Sequence, residues 1–152
     1  MTELTSDLWV RIADNSPDGI LVCDPKGTIR YWNRGAERIF GFPRAKVVGG
    51  SLDLIIPERL RARHWAGWRA AMSTGKTQYA DGQLLSVPAV GAEGRQLSIE
   101  FSIQLLEGPN AEVEWVVAAI RDVTERFNRE KALRTELSAL LLRSTPRSLD
   151  VT

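Results

Sequence analysis

Residues 15–33 read NSPDGILVCDPKGTIRYWN, and the rest of the chain is organised around this stretch. Asn15-Ser16-Pro17-Asp18-Gly19 is a cluster of turn-forming residues that must interrupt any preceding helix. Gly19 to Asp24 is a short apolar run rich in strand formers. Asp24-Pro25-Lys26-Gly27 follows, with proline at the second turn position, where its fixed φ is already correct. Thr28 to Trp32 then alternates in the manner of a second strand, so the unit reads as a β-hairpin. Asn33 closes it and has the side chain to cap the helix that comes next.

Upstream, Leu4, Leu8 and Ile12 recur at i, i+4 and i+8 with Trp9 beside them, which predicts a helix over residues 3–14. Downstream of Asn33, Ala36, Ile39 and Phe40 form the apolar side of a short helix that Gly41 stops. Residues 42–56 read as short turns carrying Val47, Val48, Leu52, Leu54, Ile55 and Ile56 for burial. Pro57 suits a first helical position and opens the longest internal helix, which ends at Gly75. The period then changes. Gln83 to Val90, Gln96 to Leu106 and Glu114 to Arg121 are strand-like, separated by turn sequences at Gly91–Gly94 and Glu107–Asn110. Ser98, Glu100, Ser102 and Gln104 alternate with Ile99, Phe101, Ile103 and Leu105, giving one wet and one dry face. Asp122 to Glu125 has the spacing of a capping box, with Asp122 in the capping place. Beyond it Val123, Phe127, Leu133, Leu137, Leu140 and Leu141 make an approximate heptad stripe. The tail from Ser144 is expected to be disordered.

Composition narrows the function classes. The 152 residues suit one domain, and 43% hydrophobic with 26% charged residues is ordinary for a globular protein with a core. A net charge of +1 gives no footprint for nucleic acid or an anionic membrane. The basic cluster from Arg59 to Arg69 lies at helical spacing and reads as a solvated helix face. The single cysteine, Cys23, excludes an internal disulfide and agrees with a reducing compartment; on a strand it reads as a small core residue. One cysteine and one histidine make the usual zinc site unworkable. The N-terminus lacks the pattern of a signal peptide, and no run approaches the roughly 20 apolar residues of a membrane span. A cytoplasmic location is expected. No phosphate loop or nucleophile–base arrangement is visible, so no enzymatic activity is expected.

The order helix, two strands, short helices, longer helix, three strands, helix resembles the PAS fold. The motifs that carry the resemblance are Asn15 to Ile20, Asp24 to Gly27, Tyr31-Trp32-Asn33 with Ala36-Glu37 and Phe40-Gly41, Ile55 to Glu58, Glu93-Gly94-Arg95, and Arg121 to Glu125. They run in order across residues 9–126. The resemblance implies an α+β domain, a five-stranded antiparallel sheet with helices over one face. It divides the chain into an N-terminal helix at 1–14, a core at 15–121, a C-terminal signalling or dimerisation helix at 122–143, and a tail at 144–152. It also implies a sensory module acting as a homodimer upstream of a histidine kinase, cyclase or regulator. Two competing functions are a dimerisation or docking module without a ligand, and an enzyme of hot-dog or ketosteroid-isomerase-like shape.

The candidate site centres on the only histidine. Leu60, His64, Trp68 and Ala71 fall at i, i+4, i+8 and i+11, which puts His64 on the inward face of its helix. A neutral imidazole is a strong iron ligand, and one on an apolar helix face supplies the side-chain chemistry a heme needs. The segment Pro57 to His64 also resembles the iron-ligating helix of the oxygen-sensing heme PAS domains of rhizobial sensor kinases. By that resemblance His64 is the metal ligand, and Ile56, Leu60, Trp68 and Ile103 line the cofactor. The distal position that carries an oxygen-bonding arginine in that family falls on Leu85. The propionate-pairing arginine falls at Ala70, with Arg69 adjacent. An apolar Leu85 offers bound oxygen no donor, which opens carbon monoxide sensing, nitric oxide sensing or no gas sensing. The other reading of His64 is a core histidine packed against Trp68. A flavin photosensor of the LOV type is excluded by the absence of cysteine from the corresponding helix.

Overall fold

The computed structural model describes residues 4–79 and 82–144. Helix α1 spans Ser6–Asp14, with the Thr5 hydroxyl accepting from the Leu8 N–H at its start. The hairpin strands are β1, Gly19–Cys23, and β2, Ile29–Trp32. Helices α2, Arg34–Phe40, and α3, Arg44–Val47, follow, then a 3-10 turn at Leu52–Ile55 and helix α4 at Glu58–Thr74. Strands β3, Leu85–Val90, β4, Gln96–Glu107, and β5, Val113–Asp122, complete the sheet, and α5 spans Thr124–Ser144. The strand order is β2-β1-β5-β4-β3, every pairing antiparallel. This is the expected five-stranded α+β architecture. The expected tail begins one residue early: Ser144 is the last residue of α5, and residues 145–152 lie outside the described residues.

The crossover that places β5 between β1 and β4 brings the two ends of the core together. Gly19 pairs with Ile120 and Cys23 with Val116, so the chain enters and leaves the sheet on neighbouring strands at one end. The inner face on this side carries Leu21, Cys23, Trp32, Val116, Ala118 and Ile120, all buried, against Ala36 and Phe40 of α2. Trp32 and Phe40 are fully enclosed with ring centroids 5.2 Å apart, and the Trp32 indole donates to the Phe42 carbonyl at 3.1 Å.

Asn33 organises that corner. It is the only buried polar side chain among the described residues, and its amide is saturated. Oδ1 accepts from the N–H of Ile20 and of Ala36, both at 2.8 Å. Nδ2 donates to the carbonyls of Ala13 at 2.8 Å and Asp18 at 2.9 Å. One amide thus starts α2, starts β1 and ties down the end of α1. Gly35 lets α2 approach closely, since a Cβ there would lie 2.1 Å from the Asp18 carbonyl oxygen.

The start of α5 departs from the capping-box expectation. Asp122 is still in β5, and its carboxylate accepts from the N–H and hydroxyl of Thr124, not from the N–H of Glu125. Glu125 pairs with Arg129 instead of reaching back. The Thr124 hydroxyl accepts from the Ser98 N–H at 3.0 Å, the Val123 N–H donates to the Ser98 carbonyl at 2.9 Å, and Arg126 pairs with Glu100 at 2.6 Å. The end of β5 therefore bonds sideways to β4, through the one N–H and the one carbonyl of Ser98.

Replacing Asn33 with alanine strands two donors and two acceptors in a dry corner. The expected loss is about 2–4 kcal/mol, read as a lower urea midpoint at unchanged m-value.

Candidate functional site

Helix α4 is held to the domain by its side chains at a few points. None of its residues is fully buried. The Trp68 indole donates to the Pro25 carbonyl at 2.8 Å, and the Trp65 indole donates to the Asp53 carboxylate at 2.7 Å. Arg61 donates to the carbonyls of Ile56 at 3.1 Å and Asp53 at 3.3 Å. Arg61 thus departs from the solvated face expected for the basic cluster, while Arg59, Arg63 and Arg69 are exposed.

The expected inward face is correct in direction. Leu60, His64, Trp68 and Ala71 are all half-buried, as are Trp65 and Met72, and Ile56 precedes them half-buried at the end of the 3-10 turn. Trp65 was not singled out by spacing, since it sits one residue off the stripe. His64 lies among rings, its centroid 4.7 Å from Trp65 at 80° and 5.8 Å from Trp68 at 41°. Its Nδ1 is enclosed and has no hydrogen-bond partner among the described residues. Burial pushes the His64 pKa below its usual 6.5, and the negative charge of Asp53 opposes part of that fall. At neutral pH the ring is uncharged, the form in which imidazole donates to a metal.

The sheet is unevenly covered. The inner faces of β1 and β5 are sealed, but Leu85 of β3 and Phe101, Ile103 and Leu105 of β4 are only half-buried. Leu85 pairs with Phe101, and Ile103 with Ala118, so these side chains share the inner face. Ala70, at the expected propionate-pairing position, and the adjacent Arg69 are both exposed on α4. Two open hollows, of about 440 and 580 Å³, lie elsewhere around Glu37 and Pro43, and no residue of α4 lines either. Three of the four arginines on them are engaged, Arg30 with Asp24, and Arg34 and Arg44 with Asp14. Cys23 is fully enclosed, and burial pushes its thiol up to about 12, as suits a core residue. Among the described residues no three His, Cys, Asp or Glu side chains converge on a metal position.

A five-stranded antiparallel sheet with a wall helix carried on polar anchors defines a sensory module. The chain belongs to the PAS-fold family, whose profile matches residues 13–128. Such domains are non-catalytic sensors. The chain is 30% identical over 121 residues to an uncharacterized protein of Azorhizobium caulinodans, covering 79% of this chain and 16% of that one. It is 24% identical over 127 residues to the sensor protein FixL of Bradyrhizobium diazoefficiens, covering 82% and 24%. It is 21% identical over 140 residues to the oxygen sensor protein DosP of Escherichia coli, covering 84% and 17%. The chain therefore spans a quarter or less of the length of these relatives. The crystal structure of a PAS domain from Colwellia psychrerythraea superimposes with a TM-score of 0.68 at 18% identity, covering 78% of this chain and 97% of that one. No helix of the described residues is long and apolar enough to cross a membrane.

The buried histidine has a pH signature. The unfolded chain holds a proton on His64 up to about pH 6.5, while the folded chain releases it at lower pH. Between those limits the unfolded state binds more protons, so stability rises with pH. The stability is complete above about pH 6.5 and declines as pH falls through the folded value. Because His64 is the sole histidine, its ring resonance should titrate below 6.5, and still lower in Asp53→Asn. In His64→Gln this part of the pH dependence of unfolding should disappear.

Proposed function

We propose that this domain senses through heme held in the cleft between α4 and the inner face of β3 and β4, with His64 as the iron ligand. The observation that carries the reading is the His64 ring nitrogen, enclosed, uncharged and unpaired. A buried polar atom without a partner is costly unless something takes up its lone pair. The half-covered inner face of β3 and β4 is apolar, as a planar macrocycle requires. Similarity to a relative named an oxygen sensor adds support.

When bound, heme would supply a position for a diatomic gas or a change of iron oxidation state. Within this chain His64 and its flanking Trp68 would hold one face of the group. Leu60 and Ile56 would close the approach from α4, and Leu85, Phe101 and Ile103 would exclude water from the other. Leu85 supplies no hydrogen-bond donor, so gas discrimination rests on shape and apolarity. A shift in β4 on binding reaches Ser98, which is bonded to Thr124 and Val123 at the start of α5. The occupied and empty arrangements must differ in ligand affinity by a few kcal/mol for a useful population shift.

The relay ends in a helix with an exposed apolar stripe. Leu133, Leu137, Leu140 and Leu141 share one face of α5 and are each more than half exposed, and no residue of α5 is buried. A homodimer joined along this stripe passes the shift to a downstream histidine kinase, cyclase or regulator. The ligand-free alternative, a dimerisation module, draws on the same stripe and lacks a use for His64.

Two measurements test the reading. Protein reconstituted with hemin should show a strong Soret band that is lost in His64→Ala; a colourless wild type with a melting temperature unmoved by hemin would remove heme. In sedimentation, Leu137→Glu with Leu141→Glu should convert dimer to monomer, and an unchanged dimer would place the contact elsewhere.

A further inference from the structure

A metal-binding imidazole is ordinarily oriented by a carboxylate or carbonyl that accepts from its second nitrogen. With the unpaired Nδ1 read as the donor, that second nitrogen is Nε2, and no carboxylate or carbonyl among the described residues is bonded to it. Its nearest ring neighbour is Trp65, edge-on at 4.7 Å. Trp65 in turn is held from two directions. Its Nε1–H donates to Asp53 Oδ1 at 2.7 Å, the short distance of a bond to a charged acceptor. Its six-membered ring lies over Gly27, where a Cβ would fall 2.2 Å from the ring edge. Asp53 and Gly27 belong to one cradle: the Leu52 N–H donates to the Gly27 carbonyl at 3.1 Å, Thr28 bridges Ser51, and the Ser51 hydroxyl accepts from the Asp53 N–H at 3.1 Å. The position of Trp65 is therefore set by the hairpin turn and the Leu52–Ile55 turn, outside the helix that carries it.

We propose that Asp53 and Trp65 are the positioning pair for His64, the carboxylate fixing the indole and the indole edge fixing the imidazole. This rests on reading His64 as the iron donor. An aromatic wall takes the place of the usual hydrogen-bonded second partner. Loss of the Asp53 acceptor leaves the half-buried indole N–H unsatisfied, the indole turns away, and the imidazole loses the surface that holds its plane. Asparagine keeps an acceptor oxygen in the same place, so Asp53→Asn should preserve the arrangement where alanine does not.

The test uses the full chain as wild type, Asp53→Asn, Asp53→Ala, Trp65→Phe and Arg61→Gln. Arg61 also docks α4, through the Ile56 and Asp53 backbone carbonyls, and is hydrogen-bonded to neither the Asp53 carboxylate nor the two rings. The first readout is hemin loss to apomyoglobin. Asp53→Ala and Trp65→Phe should each release hemin about tenfold faster, the double variant no faster than either. Asp53→Asn should stay close to wild type, and Arg61→Gln should lower the melting temperature without accelerating release. The second readout is the His64 ring proton resonance in the heme-free protein at pH 8, which should move in Asp53→Ala and Trp65→Phe and hold in Asp53→Asn. Wild-type release rates in Asp53→Ala, or equal acceleration in Arg61→Gln, would overturn the proposal. A wild type without a Soret band would sink the iron-donor reading alone; unmoved His64 resonances in both Asp53→Ala and Trp65→Phe would then overturn the positioning pair as well.

Discussion

The fold depends on one amide. Asn33 accepts from Ile20 and Ala36 and donates to Ala13 and Asp18, so every hydrogen-bonding site on its side chain is used in a fully enclosed place. Such a group is costly to bury and nearly as costly to disturb once satisfied. Because the four partners come from α1, the α1–β1 connection, β1 and α2, they can meet only in one arrangement. The register of β1 against β5 follows, since the Asn33 bond to Ile20 sits beside the Gly19–Ile120 pair.

From that corner outward the molecule becomes less tightly packed. The β1, β2 and β5 side carries the closed core, whereas α4 meets the domain through two indole N–H bonds, one arginine and the half-buried side chains of Trp65, Trp68 and Met72. An element with few buried apolar contacts opens at lower free energy than the core does. That gradient leaves α4 as the weakly held wall of a closed frame. It also places His64, whose pKa burial lowers, on the less tightly packed side.

The output end is built differently again. Thr124 and Val123 bond to Ser98 and Arg126 to Glu100, so α5 starts from β4 although it is covalently continuous with β5. Ser98 and Glu100 of β4 therefore hold the start of α5 by bonds as short as the backbone ladder itself. Past that joint α5 has no buried residue and depends on what it meets outside the domain.

Local chemistry made most of the architecture legible in the sequence. The Asp24-Pro25-Lys26-Gly27 turn, the Asn33 cap, the Gly41 and Gly75 stops and the alternation along β4 each report a backbone preference that needs no distant partner. The i, i+4 spacing of Leu60, His64 and Trp68 likewise showed which way His64 faces. Periodicity was less informative at Asp122, where an open Ser98 backbone competes for the local capping residues. It was silent on Trp65, one position off the stripe.

What the chain determined by itself was the order of its elements, their ends and the inward direction of its only histidine, because those follow from propensities within a turn or two. Only the tertiary structure decided that Asp53, Gly27 and Trp65 meet around that histidine, and that the β3–β4 half of the sheet is left part-covered. Contacts between residues far apart in sequence arise when loops close and sheets cross over, and no local pattern records which partner will be there.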